Sequence, residues 1–424
     1  MTPEVKERIE QIRHGNVPEG YKRTRKGIIP NEWSVQQIRD LAFISSGSTP
    51  NRGNPAYWNG DIPWVTTGEL EGGYIKSTNE SITSQALSET SLRVYPAGTL
   101  LMAMYGQGKT RGTVAKLGID ATVNQACAAI TVDAGVSEFI FYALQNAYSD
   151  IRKLSNTGNQ ENLNADIIKT FSLICPPIAE QQGIAEILTT QDKAIELKEK
   201  LLEEKQRQKK YLMQRLLTGK KRLPGFDGEW KNTRLSDVMI ERKEKNINQD
   251  HRICSVAVQK GVVDQIEHLG RSYAAADTSN YGVAHYGDII YTKSPTGDFP
   301  YGIIKQSQMD ENVAVSPLYG IYEPVRYELG YLLHTYFGYA INCSNYLLPI
   351  IQKGAKNTIN ITNDVFVSKK LYLPMDAAEQ KALADIFMTA DNEIDLLRQD
   401  IEQEKQKKKA LMQLLLTGIV RVNI

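Results

Sequence analysis

One forty-residue stretch occurs twice in this chain, and that duplication limits how it can fold more than any other feature. Residues 180–219 and 379–418 align without a gap at a shift of 199 positions. About 19 of 43 positions are identical when the alignment is carried through Arg222 and Arg421. Glu180-Gln181 matches Glu379-Gln380, Asp192 matches Asp391, and each copy closes on a Leu-Thr-Gly triplet ending at Gly219 or Gly418. A globular stretch precedes each copy, so the chain reads as one unit written twice.

Each copy predicts a long helix. Ile184, Leu188, Ile195, Leu202, Leu212 and Leu216 recur at about 3.5-residue spacing, as do Leu383, Phe387, Ile394, Leu397, Ile401, Leu411 and Leu415. No proline lies between Pro177 and Pro224, and Gly219 and Gly418 are suited to end a helix. A run of ~38 residues spans roughly 57 Å at 1.5 Å per residue. Acids fill the first part of each copy and bases the last, from Lys205 to Arg222 and from Lys405 to Lys409. Laid antiparallel, the acidic half of one helix meets the basic half of the other; laid parallel, like charges meet. The expectation is an intramolecular antiparallel coiled coil, with those apolar seam residues also offered for partner docking. The alternative is that each helix lies separately on its own domain.

The remaining sequence reads as two α+β domains. IIPNEWSVQQIRDL (28–41) resembles LPGFDGEWKNTRLSDV (223–238), through Glu32-Trp33 and Glu229-Trp230. The run after Gly98 parallels that after Asp288, and residues 156–177 parallel 352–374. Leu100–Tyr105 and Ala126–Val132 read as strands, Phe139–Leu154 and Leu329–Tyr346 as helices. The fold class expected is α+β: two α/β domains joined by two long antiparallel helices, with an internal pseudo-two-fold repeat. The boundaries are 1–175 for the first domain with its N-terminal helix, 176–219 for the first spacer helix, 220–372 for the second domain, and 373–424 for the second helix and tail.

Composition excludes little. A formal net charge of +1 gives no argument for or against nucleic acid, since basic patches can hide in a neutral total. Cys127, Cys175, Cys254 and Cys343 are scattered without a Cys-x-x-Cys pair or nearby histidines, so no metal site is expected and reduced, buried thiols are. No apolar run reaches the ~18 residues of a membrane span, and the N-terminal residues lack a signal core, so a cytoplasmic protein is expected.

Three catalytic-looking motifs dissolve on inspection. AMYGQGKT (103–110) ends like a phosphate-binding loop, but Ala103 replaces its first glycine and Arg111-Gly112-Thr113-Val114 is poor helix material. A glycine-rich hairpin tip is the better reading. Asn54-Pro55-Ala56-Tyr57 lacks the second proline of an amino-methyltransferase motif, and no glycine-rich methyl-donor loop precedes it. Glu196-Leu197-Lys198 after Asp192 mimics a nuclease carboxylate–lysine cluster, but the repeat carries Asp395-Leu396-Leu397 there, so it reads as a solvated charge face. No catalytic residue is assigned. Loop donors suited to bases or phosphates remain: Arg52, Gln107, Lys109, Thr110, Arg111, Asn159 and Gln160 in the first domain, and Lys293, Ser294, Lys353, Lys356 and Asn357 in the second. A nucleotide hydrolase using Lys109 and a coiled-coil scaffold without a nucleic-acid role are the competing readings.

Several segments together resemble a family. They are STPNRGNPAYWNGDIPWVTTGEL (48–70), PAGTLLMAMYGQG (96–108), VNQACAAI (123–130), the PP-x-x-EQ helix entry (176–181) with its second copy LPMDAAEQ (373–380), and the LMQ-x-LLTG endings (212–219, 411–418). In that order they are similar to the DNA-specificity subunit of Type I restriction–modification systems. The second domain matches more loosely, through residues 286–302 and 312–322, without a tryptophan segment like 57–64. The resemblance implies that each domain reads one half of a bipartite, asymmetric double-stranded DNA target, with the helices as spacer. It also implies two modification (methyltransferase) subunits and restriction/translocase subunits as partners. S-adenosylmethionine, ATP and Mg would then sit on those partners, with no cofactor or catalysis on this chain.

Overall fold

The computed structural model describes residues 2–106, 108–154, 162–353 and 359–422, with backbone alone at 352–353 and 359–360. The two long helices span Ile178–Leu216 and Ala377–Leu415, 39 residues each. Gly219 and Gly418 follow them in the left-handed region, at φ +70° and +75°. There the chain turns back so that the Lys221 and Val420 N–H groups reach the Arg215 and Leu414 carbonyls.

The chain forms two compact units, Met1–Glu199 with Asp400–Ile424, and Lys200–Gln399. Each therefore holds the first part of one long helix and the last part of the other. These boundaries cut the helices, where the sequence reading had set them apart as separate segments.

In the first unit a five-stranded sheet has the order Ala42–Ser46, Cys127–Val132, Leu100–Ala103, Val114–Leu117, Tyr74–Ile75. Leu100 and Met102 face one core, which includes Phe139, Tyr142, Ile184, Leu188 and Leu415. Leu101 and Ala103 face another, with Ala115, Leu117 and Ala129. Both faces are covered, so these strands are apolar at successive positions instead of alternating. A second sheet joins Thr122–Val123, Trp58–Val65 and Glu80–Ile82.

The second unit repeats this plan. The order Met239–Glu241, Gly320–Pro324, Ile289–Tyr291, Ile304–Gln306 reproduces the first four strands of the five-stranded sheet, all neighbours antiparallel. Val313–Val315 pairs parallel to Arg252–Ala257, which pairs antiparallel to Gly261–Asp264, as Thr122–Val123, Trp58–Val65 and Glu80–Ile82 do. Arg252–Ala257 thus occupies the place of the tryptophan segment missing from the second half. Short helices Ala165–Thr170 and Asn363–Ser368, capped by Asn164 and Thr362, each lead into the strand before a long helix.

The helices pair antiparallel within each unit. In the first, Lys408 bonds Asp192 (2.6 Å), Lys198 bonds Asp400 and Glu404 (both 2.8 Å), and Lys405 bonds Glu199 (2.7 Å). In the second, Lys205 reaches Glu393 (2.7 Å) and Lys209 pairs with Asp391. Acidic and basic halves meet, as the charge pattern requires. The helix starts also belong to the domain cores: Ile184 and Leu188 join the first, and Leu383 and Phe387 pack with Leu216 and Trp230 in the second. The helices therefore pair antiparallel as expected, and their starts line the domain cores as well; neither helix lies by itself on one domain.

A buried corner fixes each helix entry. Glu180 is fully buried, accepts from the Trp33 indole (2.9 Å), and receives two bonds from Arg421 (2.6 and 2.8 Å). Glu379 does the same with Trp230 (3.0 Å) and Arg222 (2.7 and 2.8 Å). Arg222 and Arg421 are repeat equivalents, so the acid of each copy is paired with the base of the other. Asp192 and Asp391 follow the same rule, taking Lys408 with Tyr142 (2.8 Å) and Lys209 with Tyr331 (2.7 Å).

Two helix expectations change. The run 139–154 is two helices, Ser137–Asn146 and Tyr148–Lys153, and the run 329–346 is Tyr327–Phe337 and Ala340–Leu347. Each pair keeps an apolar face toward its core across the turn, so the periodicity in the sequence continues over a break it cannot register.

Candidate nucleic-acid interface

The first unit's candidate residues lie on two loops. Residues 47–54 cross the end of the sheet so closely that a Cβ at Gly47 would stand 2.0 Å from the Val123 carbonyl oxygen. The Trp64 indole donates to the Ser48 carbonyl (3.1 Å) and the Trp58 indole to that of Asn51 (3.2 Å). Arg52 sits on these rings, its guanidinium 4.0 Å from the Trp58 centroid, and pairs with Glu80 (3.0 Å for one of two bonds). The hydrogen bonds from Arg52 hold the Glu80 carboxyl below its usual range. Arg52 remains exposed, so its fork is aimed by stacking while part of it faces solvent. Asn54 caps its own turn by accepting from the Ala56 N–H (3.1 Å).

The second loop is the hairpin between Leu100–Ala103 and Val114–Leu117. No helix follows Gly108-Lys109-Thr110; the chain turns directly into the next strand, with the Gly112 N–H on the Ala103 carbonyl (2.8 Å). The phosphate-loop reading therefore lacks its helix N-terminus. Tyr148 donates to the Lys109 carbonyl (2.6 Å) and Arg152 to that of Arg111 (2.9 Å), pinning the hairpin to the short helix below. Lys109 is exposed and Thr110 partly so. Arg111, expected at the surface, is buried against that helix instead.

In the second unit the hairpin between Ile289–Tyr291 and Ile304–Gln306 takes the same topological place. It carries Lys293 and Ser294. Lys293 has φ +59°, and burial lowers its pKa. Ser294 is exposed. Lys109 and Lys293, found separately in the sequence, thus stand on equivalent hairpins. Gln107, Asn159, Gln160, Lys356 and Asn357 lie outside the described residues, and of Lys353 only the backbone is described.

The seam residues are committed inward. Ile184, Leu188, Ile195, Leu216, Leu383, Phe387, Ile394, Ile401 and Leu415 are buried, and Leu202, Leu212, Leu397 and Leu411 partly so. They hold the unit together and leave little to offer a partner. Among the exposed apolar residues of the helices, missed at the sequence level, Leu197 and Leu396 are repeat equivalents, at 55% and 65% exposure. Their departure from the 3.5-residue seam was the available signal. The four cysteines are buried and unpaired, and burial pushes the Cys127 thiol up to about 12. Among the described residues no helix is long and apolar enough to cross a membrane.

Residues 30–206 match the family model described as the Type I restriction modification DNA specificity domain. The MjaVIII specificity subunit of a type I restriction enzyme, from Methanocaldococcus jannaschii, is 23% identical over 95% of this chain and 96% of its own length. Along its whole length the chain is thus similar to type I restriction–modification specificity subunits. A second subunit from that organism, MjaIX, is 34% identical, over 42% of each chain, so the alignment spans less than half of that relative. Among solved structures, the type I S subunit from M. genitalium matches with a TM-score of 0.59 at 12% identity, covering 90% of this chain and 96% of that one. At that identity the likeness speaks for the fold.

Proposed function

We propose that this specificity subunit directs a type I restriction–modification complex to a bipartite, asymmetric DNA target, each unit reading one half-site. The observation that carries the reading is the duplicated recognition unit: one strand order, used twice, each time presenting a lysine-bearing hairpin from the same pair of strands. Lys109 and Lys293 suit phosphate contacts, and the stacked, exposed Arg52 suits a guanine edge or a phosphate that takes its fork from Glu80. In this reading the chain performs no catalysis. S-adenosylmethionine, ATP and Mg belong to its partners, two modification subunits and the restriction subunits, and the assembly works in the cytoplasm. Leu197 and Leu396, exposed at repeat-equivalent positions, are the apolar contacts we assign to the modification subunits.

The 39-residue helices act in this proposal as a ruler. Linking two weak readers at a fixed separation raises affinity through effective concentration and restricts it to one half-site spacing. Four residues inserted after Thr190 add about 6 Å and roughly 40° of rotation. Methylation mapping in cells carrying the full operon should then report a target lengthened by one or two base pairs, and replacing residues 30–170 by those of a relative should alter only one half-site. A spacing indifferent to the insertion rejects the ruler; binding without sequence preference rejects the whole reading.

A further inference from the structure

The second unit contains a space that the first unit fills. In the first unit the strand Tyr74–Ile75 lies parallel to Val114–Leu117, and the Lys116 N–H donates to the Gly73 carbonyl (2.9 Å). Gln145, three residues after Tyr142, reaches the Gly72 carbonyl. In the second unit Ile304–Gln306 is the edge of its sheet. Gln306 stands opposite Ile289 as Lys116 stands opposite Leu100, and its N–H donates to Nδ1 of His334 (3.0 Å), three residues after Tyr331. A histidine replaces the missing strand as the edge's partner, and beside it lies a cavity of about 530 Å³.

The walls of this cavity are polar and incompletely paired. The Thr335 hydroxyl and Gln306 Oε1 are buried and have no hydrogen-bond partner among the described residues. Gln306 Nε2 is engaged by the Gly287 and Tyr327 carbonyls (3.0 and 3.1 Å), so the free oxygen is fixed facing elsewhere as an acceptor. Lys305 is 8% exposed and has no carboxylate within 4 Å among the described residues. The nearby carboxylate of Asp391 is already taken by Lys209 and the Tyr331 hydroxyl. Two ammonium groups therefore share one acid in a largely desolvated place, which is costly unless a further anion compensates.

We propose that this cavity is a binding site for a small phosphorylated metabolite, such as a mononucleotide or sugar phosphate. Its phosphoryl oxygens are received by Lys305, Lys209 and the Thr335 hydroxyl, and a hydroxyl or amine of its organic part donates to Gln306 Oε1. The cavity exceeds what inorganic phosphate fills and falls in the size range of small-molecule pockets. Burial, then the charge of Lys209, lowers the pKa of Lys305 to about 8, while Asp391 and Cys343 oppose the fall. His334 stays neutral near pH 7 and adds no charge.

The test is calorimetric titration of the full chain with AMP and with ribose 5-phosphate, using inorganic phosphate as the size control. Saturable binding with Kd below about 1 mM at pH 7 is expected for at least one ester, and weaker binding for phosphate. Affinity should fall roughly tenfold by pH 9, as the Lys305 ammonium loses its proton. Lys305→Met should abolish binding without lowering the melting temperature of the free protein, since it removes a buried charge. Thr335→Val serves as a second, milder variant and should weaken binding. Absence of saturable binding by either ester, or binding that persists in Lys305→Met, overturns the proposal.

Discussion

The two units resemble each other most where they receive the long helices and least where they present loops. At the helix entries the likeness is atomic: Trp33, Glu180 and Arg421 in one unit and Trp230, Glu379 and Arg222 in the other make the same bonds within about 0.1 Å. Tyr142–Asp192–Lys408 and Tyr331–Asp391–Lys209 repeat in the same way. Away from the helices, only the order of strands is shared. The first unit builds a tryptophan–arginine platform and a fifth strand; the second has an ordinary strand, a sheet edge met by His334 and a cavity. The difference separates two demands. A buried carboxylate needs its specific partners, so the corners hold their residue types, whereas a sheet needs only apolar side chains in register and leaves its loops free to diverge.

The largest effect expected is at the corners. Glu180→Ala and Glu379→Ala each leave a buried indole N–H without its acceptor and remove two bonds from a half-buried arginine, so each should cost about 3 kcal/mol in urea unfolding followed by tryptophan fluorescence. If the corners are equivalent, the two losses agree within about 1 kcal/mol; a large gap between them breaks the comparison.

Acid should separate the units next. Burial, and behind it the charges of Lys305 and Lys209, lowers the pKa of His334 from 6.5 to about 3. Between those values the unfolded chain holds a proton that the folded chain does not, so stability present above pH 6.5 is lost as pH falls. The second unit should lose about 2 kcal/mol between pH 7 and 5, read by hydrogen exchange at the 304–306 strand. Its counterpart in the first unit, Gln145, does not titrate. His334→Gln should flatten the profile; an equal acid response of the Val114–Leu117 strand would refute this account.

Tyr142→Phe and Tyr331→Phe each delete one hydrogen bond to a carboxylate and should each cost about 1–2 kcal/mol by thermal unfolding. The smallest effect concerns the hairpins. Lys109→Ala and Lys293→Ala should each weaken binding to a cognate duplex by about 1 kcal/mol and lower the salt slope by about one. Footprints should show each loss confined to a different half-site. Losses that fall on the same half-site remove the functional equivalence of the two hairpins.

Much of this architecture could be read from the residues because helices announce themselves locally. The seam spacing, the terminal glycines and the polarised charge together predicted two long helices and their antiparallel pairing. Glu180, Asp192 and Arg222 were visible as repeated residues, though their partners were not. Arg111 looked like a surface donor because its neighbours are glycine and threonine; only the helix beneath the hairpin shows that it is buried. The paired helices at 137–153 and 327–347 read as single runs because apolar spacing survives the turn between them.

From its amino acids alone this chain specified a duplication, two stiff helices and the sign of charge along each, since spacing and charge order are properties of neighbours in sequence. Tertiary structure decided which helix half joins which unit, that Lys109 and Lys293 hold the same place in the fold, and that a lysine, a histidine and a threonine border an unfilled cavity. Those outcomes depend on segments far apart in sequence packing together within a unit, and no local pattern encodes which polar groups will be left without a partner.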